Sequence, residues 1–269
     1  MTIRASDVRG RAPLGLTVPA MLALAFLAIP ILAIFARAPW SSLSSDLSSA
    51  EARAALLLSL RTTLASTAIC LVFGIPLAWL LARTSFRGRR FVRALVTLPL
   101  VLPPVVGGVA LLMAFGRNGL IGRQLDLAFG LTLPFTTAAV VMAQTFVALP
   151  FLVISVEGAF RASDERYDDA AATLGASRWS TFRRVTLPLA LPGVVAGAVL
   201  CWARALGEFG ATITFAGNFP GTTRTMPSAI YLSFQSNPDA AIALSLVLIV
   251  TSVAVLALLR ERWLSGAAR

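Results

Sequence analysis

The chain has 269 residues, of which 57% are hydrophobic and only 13% are charged, a balance that a soluble domain of this length could not keep hydrated. The formal charge is +11, but the arginines lie in short blocks beside apolar runs and form no stripe interleaved with aromatic residues, which argues against nucleic-acid binding. The composition therefore predicts an integral membrane protein.

Six apolar runs are long enough to cross a hydrocarbon core about 30 Å thick. In chain order they cover residues 15–36, 62–82, 91–115, 134–156, 186–206 and 240–259. The third run contains Pro99, Pro103 and Pro104, so we expect that helix to be kinked or locally unwound. The predicted fold class is all-α, a polytopic membrane helix bundle with about six transmembrane helices.

The placement of arginine predicts the orientation. With six spans, the N-terminal segment, the loop 83–93, the segment 157–185 and the C-terminal segment share one side and carry sixteen arginines, against five on the other side. Short loops rich in arginine remain in the cytoplasm. Both termini are therefore predicted to be cytoplasmic, which agrees with an even number of spans.

Several residue types needed for energy supply or catalysis are missing. The chain has no lysine and so cannot contain a nucleotide-binding P-loop, whose lysine reaches the phosphates. The six predicted spans contain no histidine or acid that could relay a proton or bind sodium. No cluster has the spacing of a metal site or a nucleophile–base pair, so we expect no metal, no cofactor and no catalytic residue. A transporter driven by a partner, a passive anion channel, and a membrane-anchored sensor or assembly factor remain open.

The segment between the fourth and fifth spans, residues 161–188, predicts two short helices joined at a glycine. Ser163 is the predicted N-cap of the first helix, and Gly175 is placed to end it in a left-handed conformation. Ser177 is the predicted N-cap of the second helix, which we expect Pro188 to stop. Such a pair of helices would form a compact protrusion on the cytoplasmic side.

An apolar patch is predicted on the second of these helices. Trp179 and Phe182 are three residues apart and would share one helix face. A patch of this kind suits a cleft in another protein or the membrane interface.

The spacing within this protrusion resembles the EAA loop of bacterial ABC importer permeases, whose pattern is Glu-Ala-Ala, three residues, Gly, nine residues, Ile, one residue and Leu-Pro. The matching residues are Asp169, Ala170, Ala171, Gly175, Val185, Leu187 and Pro188. Aspartate replaces the glutamate and valine replaces the isoleucine, so the acidic and β-branched characters remain. The resemblance implies that an ATPase subunit docks on this loop and that its motion is passed to the spans.

Three further stretches resemble the molybdate permease subgroup of that family. They are Gly-Glu-Phe-Gly-Ala-Thr at 207–212, Ala-Gly-Asn-Phe-Pro-Gly at 216–221 and Pro-Ser-Ala-Ile-Tyr at 227–231. Sulfate permeases share the Gly-Glu-Phe-Gly portion. The similarity covers roughly residues 55–260 and implies a type I ABC importer permease domain there, preceded by a segment 1–54 with the first span and followed by a cytoplasmic tail 261–269.

The resemblance also implies the substrate and the partners. Molybdate is the expected cargo, with tungstate or sulfate/thiosulfate as alternatives. The expected partners are two copies of a cytoplasmic ABC ATPase subunit that holds ATP and Mg, an external molybdate-binding protein and a second copy of this chain in the bacterial inner membrane.

Candidates for the translocation pathway come from the third span and from the end of the fifth. They are Pro99, Pro103, Pro104, Arg204, Gly207, Glu208, Gly210 and Thr212. A tetrahedral dianion needs backbone N–H groups, hydroxyls or positive charge along its path, although small residues also serve close helix packing. Arg204 and Glu208 are four residues apart, and we expect them to form an ion pair, for which a structural role is favoured over a role in sensing the anion.

Overall fold

The computed structural model describes residues 14–43 and 48–266, and all secondary structure in these ranges is helical. In chain order the helices are α1 (Leu14–Ala36), α2 (Ala50–Arg83), α3 (Arg89–Val101), α4 (Pro104–Phe115), α5 (Gly122–Phe129), α6 (Thr137–Ala162), α7 (Arg166–Thr173), α8 (Arg178–Leu206), α9 (Gly210–Phe215), α10 (Met226–Ser236) and α11 (Pro238–Gly266). The arginines predicted to hold the N-terminus in the cytoplasm, and the last three residues of the tail, lie outside these ranges.

Five of the described helices are long and apolar enough to cross a membrane, namely α1, α2, α6, α8 and α11. A sixth candidate is the pair α3–α4, whose axes are bent by 120°. This agrees with the all-α class and with about six spans. The local unwinding predicted in the third span is confirmed, because the helix is interrupted at Leu102 and Pro103. Leu102 and Pro103 both have extended ψ angles of 134°, the conformation that a following proline imposes.

Helices α2 and α6 run parallel. The Thr145 hydroxyl of α6 donates to the Ser66 hydroxyl of α2 at 3.3 Å, and Arg83 at the end of α2 donates to Ser163 at the end of α6. We call the end of the bundle where α2 and α6 terminate the elbow end, and the opposite end the far end. Two parallel spans require that the chain between them returns to the far end.

The bent pair α3–α4 makes this return along α6. Arg93 of α3 forms an ion pair with Glu157 near the elbow end of α6, whereas Gly107 of α4 packs against Phe146, three turns further from that end. Leu111 of α4 belongs to an apolar cluster with Val140, close to the start of α6. The pair therefore carries the chain across the bundle despite its bend.

Helix α8 packs antiparallel to α6 through small residues. A Cβ added to Gly193 would lie 2.3 Å from the Ala159 Cβ, and one added to Gly197 would lie 3.0 Å from the Ser155 Cβ. The Ser155 hydroxyl donates to the Gly193 carbonyl at 3.2 Å. Glycines four residues apart thus let two backbones approach closely, as is common between membrane helices. The main apolar core lies where α2, α6 and α8 meet.

Candidate functional site

The first candidate site is the protrusion predicted from the sequence, residues 161–188, which we call the elbow. Gly175 has a φ of +82°, which confirms its predicted left-handed conformation. Its N–H donates to the Ala172 carbonyl at 2.9 Å, and the N–H of Ala176 donates to the Ala171 carbonyl at 3.0 Å. These two bonds form a Schellman motif, which ends α7 and fixes the direction in which the chain leaves it. The Ser177 side chain accepts from the Ser180 N–H, so its predicted capping role is also confirmed.

The predicted capping role of Ser163 is wrong. Ser163 lies at the C-terminal end of α6, and its hydroxyl accepts a hydrogen bond of 2.6 Å from Arg83. Helix α7 begins after Glu165, and the Asp164 carboxylate accepts from the Arg166 N–H at 3.0 Å in the turn before it. Ser163 binds an arginine that is 80 residues away in sequence, and no local sequence pattern indicates this contact.

Pro188 does not stop the second helix, as the sequence predicted; α8 continues to Leu206. The helix passes through a π-helical turn at Phe182–Thr186, in which the Leu187 N–H donates to the Phe182 carbonyl. Pro188 then occupies the first turn of the α-helical part, where a proline needs no hydrogen-bond donor of its own. The elbow is therefore continuous with the fifth span.

Arg83 fastens the elbow to α2. Its guanidinium lies 2.7 Å from a Glu165 carboxylate oxygen and 3.9 Å from Asp168, and its side chain is only 8% exposed. The second oxygen of Asp168 accepts a bond of 2.8 Å from the Thr186 hydroxyl in the π-helical turn. Asp168 thus joins α7 to α8, while Arg83 joins the end of α2 to α7 and to the end of α6. None of these three contacts was predicted from the sequence.

A second charged group joins the spans just above the elbow. Glu157 of α6 is buried and pairs with Arg161 at 2.8 Å and with Arg93 of α3. Arg161 and Arg89 both donate to the Leu81 carbonyl near the end of α2. Helices α2, α3 and α6 are therefore fixed to one another at the elbow end.

The residues that carry the family spacing surround the turn of the elbow. Asp169, Ala170, Gly175 and Pro188 are exposed, whereas Ala171, Val185 and Leu187 are half-buried. Leu174, which precedes the glycine, is 88% exposed. The predicted patch is present, since the Trp179 ring stacks on Phe182 with ring centroids 5.6 Å apart. Only Trp179 is exposed, because Phe182 also contacts Trp79 of α2.

The second candidate site is the group of pathway residues nearer the far end. Arg204 lies 2.6 Å from a Glu208 carboxylate oxygen, which confirms the predicted ion pair. Glu208 is only 1% exposed, and its other oxygen accepts from the Ala211 N–H at 2.8 Å. The pair spans the end of α8, which stops just before the exposed Gly207. It positions the start of α9.

The structure brings α4 and α9 together. A Cβ added to Gly210 would lie 2.7 Å from the Pro104 Cβ, so this glycine serves close packing. Thr212 is fully buried, and its hydroxyl has no hydrogen-bond partner among the described residues. Pro103 is exposed at the break that precedes α4, and Pro99 lies apart from this group on α3.

Gln144 is a buried polar residue that was not among the predicted site residues. It lies on α6 and is 1% exposed, and neither atom of its amide has a partner among the described residues. The sequence could have pointed to this residue, because Gln144 is the only amide side chain in the predicted span 134–156. A buried amide costs free energy unless it is hydrogen-bonded, so such a residue marks a place where polarity is required.

A comparison with protein-family models finds one match, which covers residues 74–266. Its description is "Binding-protein-dependent transport system inner membrane component". The chain belongs to this family.

Relatives of this inner membrane component are similar over most of their length. A protein of Mycobacterium bovis named molybdenum transport system permease protein ModB is 54% identical over 237 residues, which cover 88% of this chain and 89% of that protein. The Escherichia coli K12 protein of the same name is 44% identical over 80% of this chain and 94% of its own. The chain is thus a multi-pass membrane component of a transport system.

Solved structures support the fold. A bacterial ABC transporter that imports the acidic polysaccharide alginate contains a chain that matches with a TM-score of 0.70, covering 93% of each chain at 17% sequence identity. At that identity the likeness concerns the architecture alone. The inner membrane component therefore has the ABC importer permease fold that its elbow spacing predicted.

Proposed function

We propose that this chain is the permease subunit of an ATP-binding cassette importer that carries molybdate across the bacterial inner membrane. The observation that carries the proposal is the elbow, whose exposed turn has the family spacing and is bonded to α2 and continuous with α8. The choice of molybdate rests on the named relatives, at 54% and 44% identity. Tungstate has the same charge and shape and is the natural competitor, and sulfate or thiosulfate is the alternative within the family.

The elbow is the proposed docking site for a cytoplasmic ATPase subunit. Its turn presents Asp169 and Leu174 to solvent, while the half-buried Asp168 of α7 faces Arg83. Because Asp168 also binds Thr186, a push on α7 is transmitted to α8 and to the end of α2 together. The chain contributes no catalytic residue in this proposal, and ATP and Mg are held by the partner.

The elbow end is the proposed cytoplasmic end. Arg87, Arg89 and Arg90 follow α2 at this end, and Arg183 and Arg184 are exposed in the first turns of α8. Short arginine-rich loops stay on the cytoplasmic side. The proposed orientation therefore has both termini in the cytoplasm and the far end outside, where an external binding protein would deliver the anion.

The proposed transporter contains two copies of this chain, each with one ATPase subunit. A single bundle of about six spans gives only one wall of a pathway, and a closed twofold arrangement is the commonest way for identical subunits to enclose one. The break between α3 and α4 is irregular backbone within a candidate span, and the short helix α9 packs beside it through Gly210 and Pro104. Such backbone is tolerated in a membrane only inside protein or beside water. These elements are the proposed lining.

Uptake by proteoliposomes tests the proposal. The chain is reconstituted with its ATPase subunits and supplied with the external binding protein, and labelled molybdate and sulfate are offered at equal concentrations. We expect uptake of molybdate that requires ATP and both partners. Preferential uptake of sulfate would overturn the substrate, and a steady flux through the permease alone would overturn the importer mechanism.

A further inference from the structure

A groove opens on the side of the bundle next to the elbow. It has a volume of about 390 Å³ and lies between α2 and the first three turns of α8. Leu71, Val72, Ile75 and Trp79 contribute the α2 wall, at spacings that place them on one helix face. Trp179 is among the residues of the α8 wall.

The groove is apolar with a single charge at one end. Among the described residues that line it, Arg178 is the only charged one, and it is exposed as the first residue of α8. Trp79 lies one turn before the end of α2, and from there the α2 wall extends about 12 Å away from the elbow end, at 1.5 Å per residue over 71–79. It is therefore basic where it meets the end of the bundle and apolar where it enters the membrane span.

Both walls belong to surfaces that suit lipid. On α2, Val72 is 64% exposed beside the equally exposed Phe73, and on α8 the apolar side chains of Leu189 and Leu191 are exposed as well. Trp179 and Trp79 flank the groove at the level where the span ends, the position that tryptophan prefers at a membrane–water interface. An aqueous ligand or a charged peptide would find no polar partner along this floor.

We propose that the groove binds one anionic phospholipid, with an acyl chain along the α2 wall and the headgroup phosphate on Arg178. The local charge favours an anionic lipid over a zwitterionic one, because exposed Arg183 and Arg184 lie within two turns of Arg178 and add to the positive potential. A guanidinium matches the geometry of a phosphate and can donate two parallel hydrogen bonds to it.

A lipid at this position would lie against the junction between α2 and α8, through which the elbow is proposed to act. Phe182, which lines the groove, lies at the start of the π-helical turn and packs on Trp79, so an acyl chain beside it would support the junction between α2 and α8. The inference concerns a lipid site and holds whatever anion the transporter carries.

Fluorescence quenching by brominated lipids tests the site in the assembled transporter. The complex is placed in nanodiscs that contain equal mole fractions of phosphatidylcholine and phosphatidylglycerol, with bromine on the acyl chains of one or the other. The emission of Trp179 is obtained as the difference between the parent and Trp179→Phe. We expect brominated phosphatidylglycerol to quench this emission about fivefold more effectively than brominated phosphatidylcholine, the preference that one arginine gives near a membrane surface.

Two variants with the same change of charge distinguish binding at Arg178 from a general attraction of anionic lipid to the basic surface. Arg178→Gln should abolish the preference for phosphatidylglycerol, whereas Arg166→Gln, at an exposed position on α7 that does not line the groove, should keep it. Equal quenching by both lipids in the parent, or a preference that survives Arg178→Gln, would overturn the proposal. Trp179 emission that neither lipid quenches would show that a protein surface covers the groove, and this would also overturn it.

Discussion

Replacing Gly175 with valine is the sharpest perturbation of the elbow. A φ of +82° is accessible to glycine but strained for a β-branched residue, and the left-handed conformation costs an L-residue roughly 1–2 kcal/mol. A Cβ at this position would meet nothing within 4 Å, so no steric clash adds to this cost. The effect is therefore purely conformational and acts on the turn between α7 and α8.

The magnitude follows from that strain. A loss of about 1–2 kcal/mol lowers the ratio of the native turn to rearranged turns by a factor of about 5 to 30. Because the two Schellman hydrogen bonds depend on the left-handed residue, they are lost in the rearranged forms. We expect Gly175→Val to reduce the molybdate transported per ATP hydrolysed roughly fivefold or more. Gly175→Asn should retain more coupling, since asparagine tolerates this conformation better than valine does.

Gly130 provides a matched control. It also has positive φ, +63°, and open space around a Cβ, but it ends α5 and lies away from the elbow. Transport and ATP hydrolysis are measured in proteoliposomes for Gly175→Val and Gly130→Val side by side. If both variants transport the same amount per ATP as the parent, or if both lose coupling equally, the proposed role of the elbow turn is wrong.

Three further predictions concern the contacts that hold the helices. Arg83→Gln removes the ion pairs that bind α7 to α2, so ATP hydrolysis by the assembled complex should continue while the molybdate moved per ATP falls; unchanged uptake per ATP would show that the contact transmits nothing. Gly193→Ala should lower the melting temperature, because its Cβ would lie 2.3 Å from a neighbouring Cβ, whereas Gly158→Ala, with nothing within 4 Å, should be neutral or stabilising; equal melting temperatures would contradict the close α6–α8 packing. Arg204→Met leaves Glu208 buried without its cation and should lower the free energy of unfolding by roughly 3 kcal/mol, whereas replacing both residues with methionine should lower it less. Denaturant unfolding of the two variants tests this, and a double variant less stable than the single one would contradict it.

Local chemistry made the elbow predictable from the sequence. A glycine can end a helix, and a serine can start one by accepting a hydrogen bond from the N–H three residues later. Both contacts lie within one or two turns, so a local pattern is enough to predict them. Gly175 and Ser177 therefore adopt the predicted conformations. Hydropathy likewise predicted the spans, because burying a backbone in lipid requires long apolar helices.

Contacts between distant segments were not predictable in the same way. Ser163 has the residue type of a helix N-cap, but Arg83 holds it at the end of α6. The prolines of the apolar run 91–115 indicated where the helix is interrupted. They do not give the 120° angle or the contact of Pro104 with Gly210, which is more than 100 residues away in sequence. The link from Asp168 to Thr186 depends on the π-helical turn, which has no recognisable sequence signal here.

The side of the membrane on which the elbow lies, and whether the ATPase covers it, can be measured by labelling a single cysteine. Leu174→Cys places a thiol at a position that is 88% exposed, while the native Cys70 and Cys201 are buried between helices. A membrane-impermeant maleimide should label this thiol in inside-out vesicles stripped of the ATPase subunit, leave it unlabelled in intact cells, and fail to label it once the subunit is bound again. Leu120→Cys, 85% exposed beyond α4, should show the opposite sidedness. Labelling of Leu174→Cys in intact cells, or labelling that the ATPase does not block, would contradict the proposal that a partner drives the bundle through the elbow.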